Sequence, residues 1–538
     1  MAALVLVAVL AVGEAKGASE PERLPDDATL EASGAVIGTI RCRIGDVFDP
    51  SQPGEDNPIF RAANFVHIRT KESVIRNRLL FKEGDRYSRR LLEESERLLR
   101  DFGFLYDARI RPVGYRDGRV DVEVATRDVW TLKGGVSFGR GGGTNRTSVG
   151  LQDSNFLGYG KDLSLQHTQD VDRTTRTFTY TDPAVLGSRA RLSLGYGHNS
   201  DGREEAAAVE RPFFSLDARW AAGISYDQDS RVDPLYEMGH AVSRFRHNVD
   251  YASAYAGFSR GLEEGRARRF SAGFTFDRHT FGIAPGEPIP ALFPVDRTLA
   301  YPWLALDSVQ DGFITVRDLD RIQRTEDLNL AREGHALVGW AAPAFGSDRG
   351  RGIFEASGQI GLGPRPGRMI LMSGDLSGRR ASGGFEDVLA GWGLRFFQRD
   401  LGRHLFCVSL RADAAHRLDR DTQLLLGGDN GLRGYPLRYQ DGDRRVLLTV
   451  EQRFYTSWHV LKLFYVGGAV FLDAGRAWFA GAPDRRDLGV LKDAGFGLRI
   501  QSSRSAKAAM AHLDVAFPVD GDPTIRRVQF LVSTHETF

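Results

Sequence analysis

The sequence predicts a mainly β protein, an antiparallel transmembrane β-barrel preceded by one small α+β domain. Three observations carry this. From Trp130 onward the helical period disappears, and short alternating segments separated by Gly, Asp, Asn and Pro run to the end of the chain. The composition, 61 Gly and 33 Phe in 538 residues at a mean hydropathy of -0.30, suits many strands and turns. Before Trp130, helical and strand periods alternate over a length sufficient for one small domain.

The first 18 residues read as a secretory signal: an apolar run from Ala2 to Val12, then small residues at Gly13, Ala15, Gly17 and Ala18. No Lys or Arg precedes the run, which departs from the usual signal. Residues 19–34, polar and Pro-containing, read as a linker. The small domain then occupies 35–128. "AVIGTIRC" alternates as a strand. "TKESVIRNRLLF" places Val74, Ile75, Arg78 and Leu79 at helical spacing behind Thr70 as candidate N-cap, and "SRRLLEESERLLRDFG" forms a second helix from Ser88 to a stop at Gly103. Two strands, "FLYDARIRPV" and "RVDVEVATRD", flank a turn from Gly114 to Gly118, so the order is β-α-α-β-β. A 19-residue segment of unusual composition, "DVFDPSQPGEDNPIFRAAN", follows the first strand.

Residues 130–538 make the barrel. In "FYVGGAVFLDAG" one face carries Phe464, Val466, Val470 and Leu472, and the other Tyr465, Phe471, Asp473 and Gly475. "VLLTVEQRFY" sets Val446, Leu448, Val450 and Phe454 against Thr449, Glu451, Arg453 and Tyr455; "HLDVAF" sets Leu513, Val515 and Phe517 against His512, Asp514 and Ala516. A soluble sandwich also buries one face of each strand. Here, however, no helical layer is available to cover so long a β region, charged residues sit on the polar faces, and a secretion signal precedes it. A closed barrel with lipid outside and a wet lumen accommodates all three. After Val12 no apolar run approaches the roughly 20 residues that a membrane helix needs.

Within the barrel, "GGDNGLRGYPLRYQDGD" at 427–443 has the composition of a solvated loop, yet it presents Leu432-Arg433-Gly434-Tyr435 at its centre. This "LRGY" resembles the (V/I)RG(F/Y) loop of the BamA/TamA superfamily of outer-membrane proteins, in which soluble POTRA domains precede a 16-stranded barrel. "FLDAG" at 471–475 is similar to that family's FxDxG strand motif, "TVEQRFY" to the strand with an inward acidic residue, here Glu451, and "NFLGYGKDLSL" from Asn155 to an early hairpin. "VIRNRLLFKEGDRYSRRLLEESERLLRDFGF" resembles the two helices of a POTRA domain. The resemblance covers Ala35 to Phe538 and implies that the loop folds into the lumen. There Arg433 would meet Asp473 and Glu451, Gly434 would permit a tight backbone, and Tyr435 would pack the loop against the wall. A guanidinium suits that place because its fixed fork of donors binds a carboxylate bidentately.

The terminal "VQFLVSTHETF" alternates through Val528, Phe530 and Val532 to Phe538, as the C-terminal strand signal of outer-membrane barrels does, although Glu536 departs from it. Two other features depart from the family: there is room for one POTRA domain only, and about 20 candidate strands are found where the family has 16. Segments such as those around Ala206 and near Tyr301 would then be loop hairpins.

Lys+Arg 71 against Asp+Glu 70 leaves no field that would attract nucleic acid. Cys42 and Cys407 are too few and too far apart for a disulfide framework. The 12 histidines show no metal-ligand spacing, and "GRGGGTN" from Gly139 lacks the Lys-Ser/Thr of a phosphate loop and lies between strands. No catalytic grouping stands out, so no enzyme activity, cofactor or metal is expected. The resemblance implies a protein of the bacterial outer membrane with its POTRA domain in the periplasm. Its partners would be unfolded outer-membrane or secreted polypeptides, the membrane lipid and periplasmic accessory proteins, and it would insert or translocate the polypeptides. The competing readings are a passive pore or structural surface antigen, and a soluble secreted β protein that binds glycans.

Overall fold

A computed structural model describes residues 24–365, 367–400, 402–481, 487–506 and 510–535. The expected signal at 1–18 lies outside these residues, as do Glu536 and Phe538. The chain forms a small α+β domain whose helices rest against one rim of a closed barrel.

In the small domain, strands β1 (Val36–Gly45), β2 (Leu105–Arg116) and β3 (Arg119–Asp128) form a sheet in the order β1-β3-β2. β3 is central because it pairs with β2 through the Asp117-Gly118 turn and in parallel with β1. Alternation dictates the buried face: Val120, Val122 and Val124 of β3 meet Leu92 and Leu99 of the helix Arg89–Arg100 and Ile75 of the short helix Glu72–Arg76. Four details differ from the sequence reading. Thr70 is not a cap; its hydroxyl and N–H bind Asp128, while Lys71 stands at the N-cap without a side-chain bond. Ser88 is the N-cap of the longer helix but makes no side-chain capping bond, and that helix ends at Arg100 with Asp101 as C-cap, short of Gly103. The linker assigned to 19–34 contains a helix, Asp27–Ala32, capped by Asp26, whose Leu30 is buried in the domain core. Finally, the segment after β1 carries its own helix, Pro58–Val66, capped by Asn57, with Phe60 stacked on Phe48.

The barrel has 20 antiparallel strands, not 16. The segments around Ala206 and Tyr301, expected as loop hairpins, are wall strands: Gly202–Arg211 and Arg297–Gln310 each pair along both edges. Each satisfies its backbone groups only when flanked on both sides, which a lipid environment demands. Val470, Leu472, Phe496, Phe530 and Trp392 point outward and are exposed, while Phe471, Asp473, Glu451, Arg453 and Asp514 are buried on the inner face. The first wall strand, Leu132–Gly141, leaves the α+β domain and defines a near rim beside it and a far rim opposite. The last strand, Gln529–His535, pairs with its predecessor at seven positions. Toward the first strand only Val532 finds a partner, Arg140, among the described residues.

Candidate functional site: two stoppers in the barrel lumen

The segment 417–443 joins two wall strands at the far rim and turns down into the barrel. Its descent is fixed by close backbone packing. A Cβ on Gly434 would lie 2.6 Å from that of Asp493, and one on Gly475 would lie 2.9 Å from a methyl of Leu426, so both glycines create room where loop and wall touch. Leu432 and Tyr435 are fully buried. The Tyr435 hydroxyl donates to the carbonyls of Lys492 (2.7 Å) and Asp520 (3.0 Å), tying the loop to two wall segments.

Arg433 is the anchor. Its Nε and Nη2 bind the two oxygens of Asp473 at 2.7 and 3.0 Å, and Nη1 reaches Glu451 at 3.0 Å and Asp514 at 3.4 Å. Its Cζ lies 3.3 Å from the ring centre of Phe471, a cation–π contact on the same strand as Asp473. Glu451 is shared further, accepting from Arg453 at 2.8 Å and from Arg499 at 3.1 Å, and Arg499 also binds Asp514. Each buried charge therefore faces at least one of opposite sign, the condition under which such charges are tolerated at all.

A second element enters the lumen from the near rim. Between two wall strands, Phe313–Arg317 and Thr325–Asn329 pair as a hairpin. Its tip enters the lumen: Leu319 and Ile322 pack against Phe397, Leu405, Cys407, Tyr455 and Met510, and the Ile322 N–H binds Gln501. The Leu319 carbonyl accepts from Arg453 (3.0 Å) and Tyr455 (3.1 Å). At its base the hairpin is held by the α+β domain, through paired bonds from Arg100 to Asp327 (2.7 and 2.6 Å), the Tyr106 hydroxyl on the Gln323 carbonyl (2.9 Å) and Arg97 over Phe313. Arg453 thus holds the hairpin directly and shares Glu451 with Arg433 of the loop.

Arg433, Glu451 and Asp473, singled out from the sequence, come together here with Leu432, Gly434, Tyr435 and Gly475 around them. Phe530 faces lipid and Val532 sits at the seam, while Phe538 lies outside the described residues. Sequence reading missed Asp514, Arg453 and Arg499 as members of the cluster. The polar faces of "HLDVAF" and "TVEQRFY" already held two of them, but strand parity gives a facing direction and not a partner.

The small sheet has two edge strands, and both are partly covered. Both β1 and β2 are edges, but Arg100 and Glu96 already bind the Ala108 carbonyl and the Ile110 N–H of β2, and Pro112 has no N–H to offer. On β1, residues 84–87 bond Ala35 and Ile37, while Glu83 and Arg76 take the Ile40 N–H and carbonyl. The end of β1 from Cys42 to Gly45 extends past these covers.

The family model described as "POTRA: Surface antigen variable number repeat" matches residues 58–127. Among solved structures the chain is similar to BamA from Haemophilus ducreyi lacking POTRA domains 1-3, at 16% identity and a TM-score of 0.38, over 92% of this chain and 84% of that one. It is similar also to CdiB from Acinetobacter baumannii (12% identity, TM-score 0.46, 93% and 74%) and to CdiB from Escherichia coli (12%, 0.47, 92% and 76%). No curated protein sequence matches it. The family match over residues 58–127 identifies a POTRA domain, which here is joined to a closed 20-stranded barrel with an inward Arg-Gly loop. The barrel lies in the bacterial outer membrane with the POTRA domain on the periplasmic side, so the near rim is periplasmic and the far rim extracellular.

Proposed function

We propose that the protein inserts client polypeptides into the outer membrane, receiving them at the POTRA domain and releasing them through the seam between its first and last strands. The observation that carries this reading is the contrast between seam and lumen. An element enters the lumen from each end and is bonded to the wall there, whereas the seam is joined at a single described residue pair. A client strand that opens the seam exchanges one backbone ladder for another at little net cost, because each edge it meets presents unpaired N–H and C=O groups. Capture at the POTRA domain falls to the end of β1, Cys42 to Gly45, which lies past the groups that cover the middle of that edge. No enzyme chemistry is involved. Outward passage through the lumen is the second reading, and it requires the periplasmic hairpin to leave.

Two disulfide locks separate these routes. Cysteines at Arg140 and Val532, which face each other across the seam, should block insertion when oxidised and restore it on reduction. Cysteines at Ile322 and Gln501, which pin the hairpin tip, should leave insertion intact. The opposite pattern would reject insertion in favour of passage through the lumen. If neither lock affects client handling, the barrel is a passive pore or surface antigen.

A further inference from the structure

The wall strands Trp220–Glu237 and His240–Glu263 run 18 and 24 residues, against the roughly 9–11 that span a bilayer. Their far ends form an extracellular collar beside the loop that descends into the barrel. On the inner face of this collar, His247 pairs across to Phe281, so His279, two residues before Phe281, is its diagonal neighbour. His247 Nε2 and His279 Nδ1 stand 2.8 Å apart. Their other nitrogens both meet carboxylates: His247 Nδ1 lies 2.7 Å from Asp233, and His279 Nε2 lies 2.9 Å from Asp277. Arg231 is 3.4 Å from His247 Nδ1, too far to compete with Asp233.

The protonation pattern follows from chemistry. An ionised carboxylate only accepts, so His247 Nδ1, bonded to Asp233, carries a proton and its Nε2 presents a lone pair toward His279. At 2.8 Å either a proton on His279 Nδ1 or a cation bound by both nitrogens fills the space between them. A third donor is at hand, because the ligand atoms of His247, His279 and Asp421 all lie within 4.8 Å of one another. Asp421 belongs to the descending loop and is held by Arg297 through one bond to each oxygen, 2.9 Å apiece, which leaves a lone pair free on each.

We propose that His247 Nε2, His279 Nδ1 and one oxygen of Asp421 bind a borderline divalent transition-metal ion of the zinc class, which pins the extracellular arm of the luminal loop to the collar. Two imidazoles and a carboxylate are a donor set that suits zinc, and carboxylate-backed imidazoles are its usual second layer. Metal–nitrogen bonds of about 2.0–2.1 Å in a tetrahedral site set neighbouring donors roughly 3.3 Å apart, so the two rings need to part by about 0.5 Å. Phe281 stacks on His247 at 4.5 Å and limits its rotation, so the ring is already held in place. Three protein ligands leave one position for water.

The test uses tag-free, full-length protein folded in detergent, stripped with chelator and titrated with zinc chloride. Bound metal is counted by mass spectrometry after desalting, and the zinc environment is read by X-ray absorption. One zinc per chain with two imidazole nitrogens is expected. His279→Ala should weaken uptake at least ten-fold and Asp421→Asn should weaken it less, while heat-modifiable migration on gels reports an intact barrel in both. Should His279→Ala fail to fold, His247→Gln replaces it in the same assay. A wild-type chain that binds no zinc, its two histidines sharing a proton instead, overturns the proposal, as does zinc uptake that His279→Ala leaves unchanged.

Discussion

The POTRA core and the barrel interior are built by opposite rules. In the POTRA domain the core is apolar, with Leu30, Ile37, Ile75, Leu92, Leu99 and Val122 among its members, and the few buried charges, such as Glu94 and Asp128, stand outside it. In the barrel the buried side chains include Arg433, Glu451, Arg453, Asp473 and Arg499, with Arg499 at 0% exposure, while Leu472, Phe496 and Trp392 face outward. The difference lies in the solvent. A periplasmic domain hides apolar surface from water, whereas the barrel wall already has lipid for its apolar face and uses its interior for polar contacts that fix its loops. What holds the barrel interior is therefore specific pairing, and what holds the POTRA domain is area removed from water.

The comparison is broken most forcefully at Arg433. Arg433→Ala leaves Asp473, Glu451 and Asp514 short of a cation and should cost about 3–5 kcal/mol of barrel stability. Arg433→Lys should restore little of this, since an ammonium cannot span both Asp473 oxygens while reaching Glu451. Unfolding in denaturant, followed by heat-modifiability, gives the measurement. Asp473→Ala combined with Arg433→Ala should cost clearly less than the two single losses added together; full additivity would deny the pair.

A smaller break comes from the outer face. Val470→Arg should cost ~2–4 kcal/mol near the bilayer midplane. Its neighbour on the inner face, Phe471, is the ring beneath Arg433. A membrane-impermeant thiol reagent that labels Val470→Cys in native membranes, while sparing Phe471→Cys, would reverse the two faces.

The smallest effect sharpens the POTRA side. Burial pushes the Cys42 thiol up to about 11, so at pH 8 only about one molecule in a thousand carries the reactive thiolate, against roughly one in four for a free thiol. Alkylation of Cys42 should accordingly be slow at pH 8 and speed up about ten-fold per pH unit until the pH nears 11. A rate at pH 8 equal to that of a free thiol would mean that the Cys42 side chain is not shielded from water.

Much of this was legible in the sequence. Period-2 alternation gave the lipid and lumen faces of "FYVGGAVFLDAG" correctly, and "LRGY" with "FLDAG" pointed to the pair that the fold brings together. The strand count was less legible, because sixteen came from resemblance, while the segments around Ala206 and Tyr301 show as wall strands only through their pairing on both edges. The periplasmic hairpin went unseen. "FITVRDLDRIQRTEDLN" has strand-like halves around a polar turn, and nothing local distinguishes a wall hairpin from one whose Leu319 and Ile322 turn inward. The collar histidines were hidden for a related reason: they lie 32 residues apart on paired strands, so metal-ligand spacing within one segment cannot reveal them.

The order of the partners along the chain carries one more consequence. Arg433 precedes every carboxylate that holds it, Glu451, Asp473 and Asp514, and the hairpin tip, earlier still, rests on Arg453, Tyr455, Gln501 and Met510. Both stoppers therefore wait for the same late strands. A chain lacking its final strands would therefore offer neither element its full set of partners.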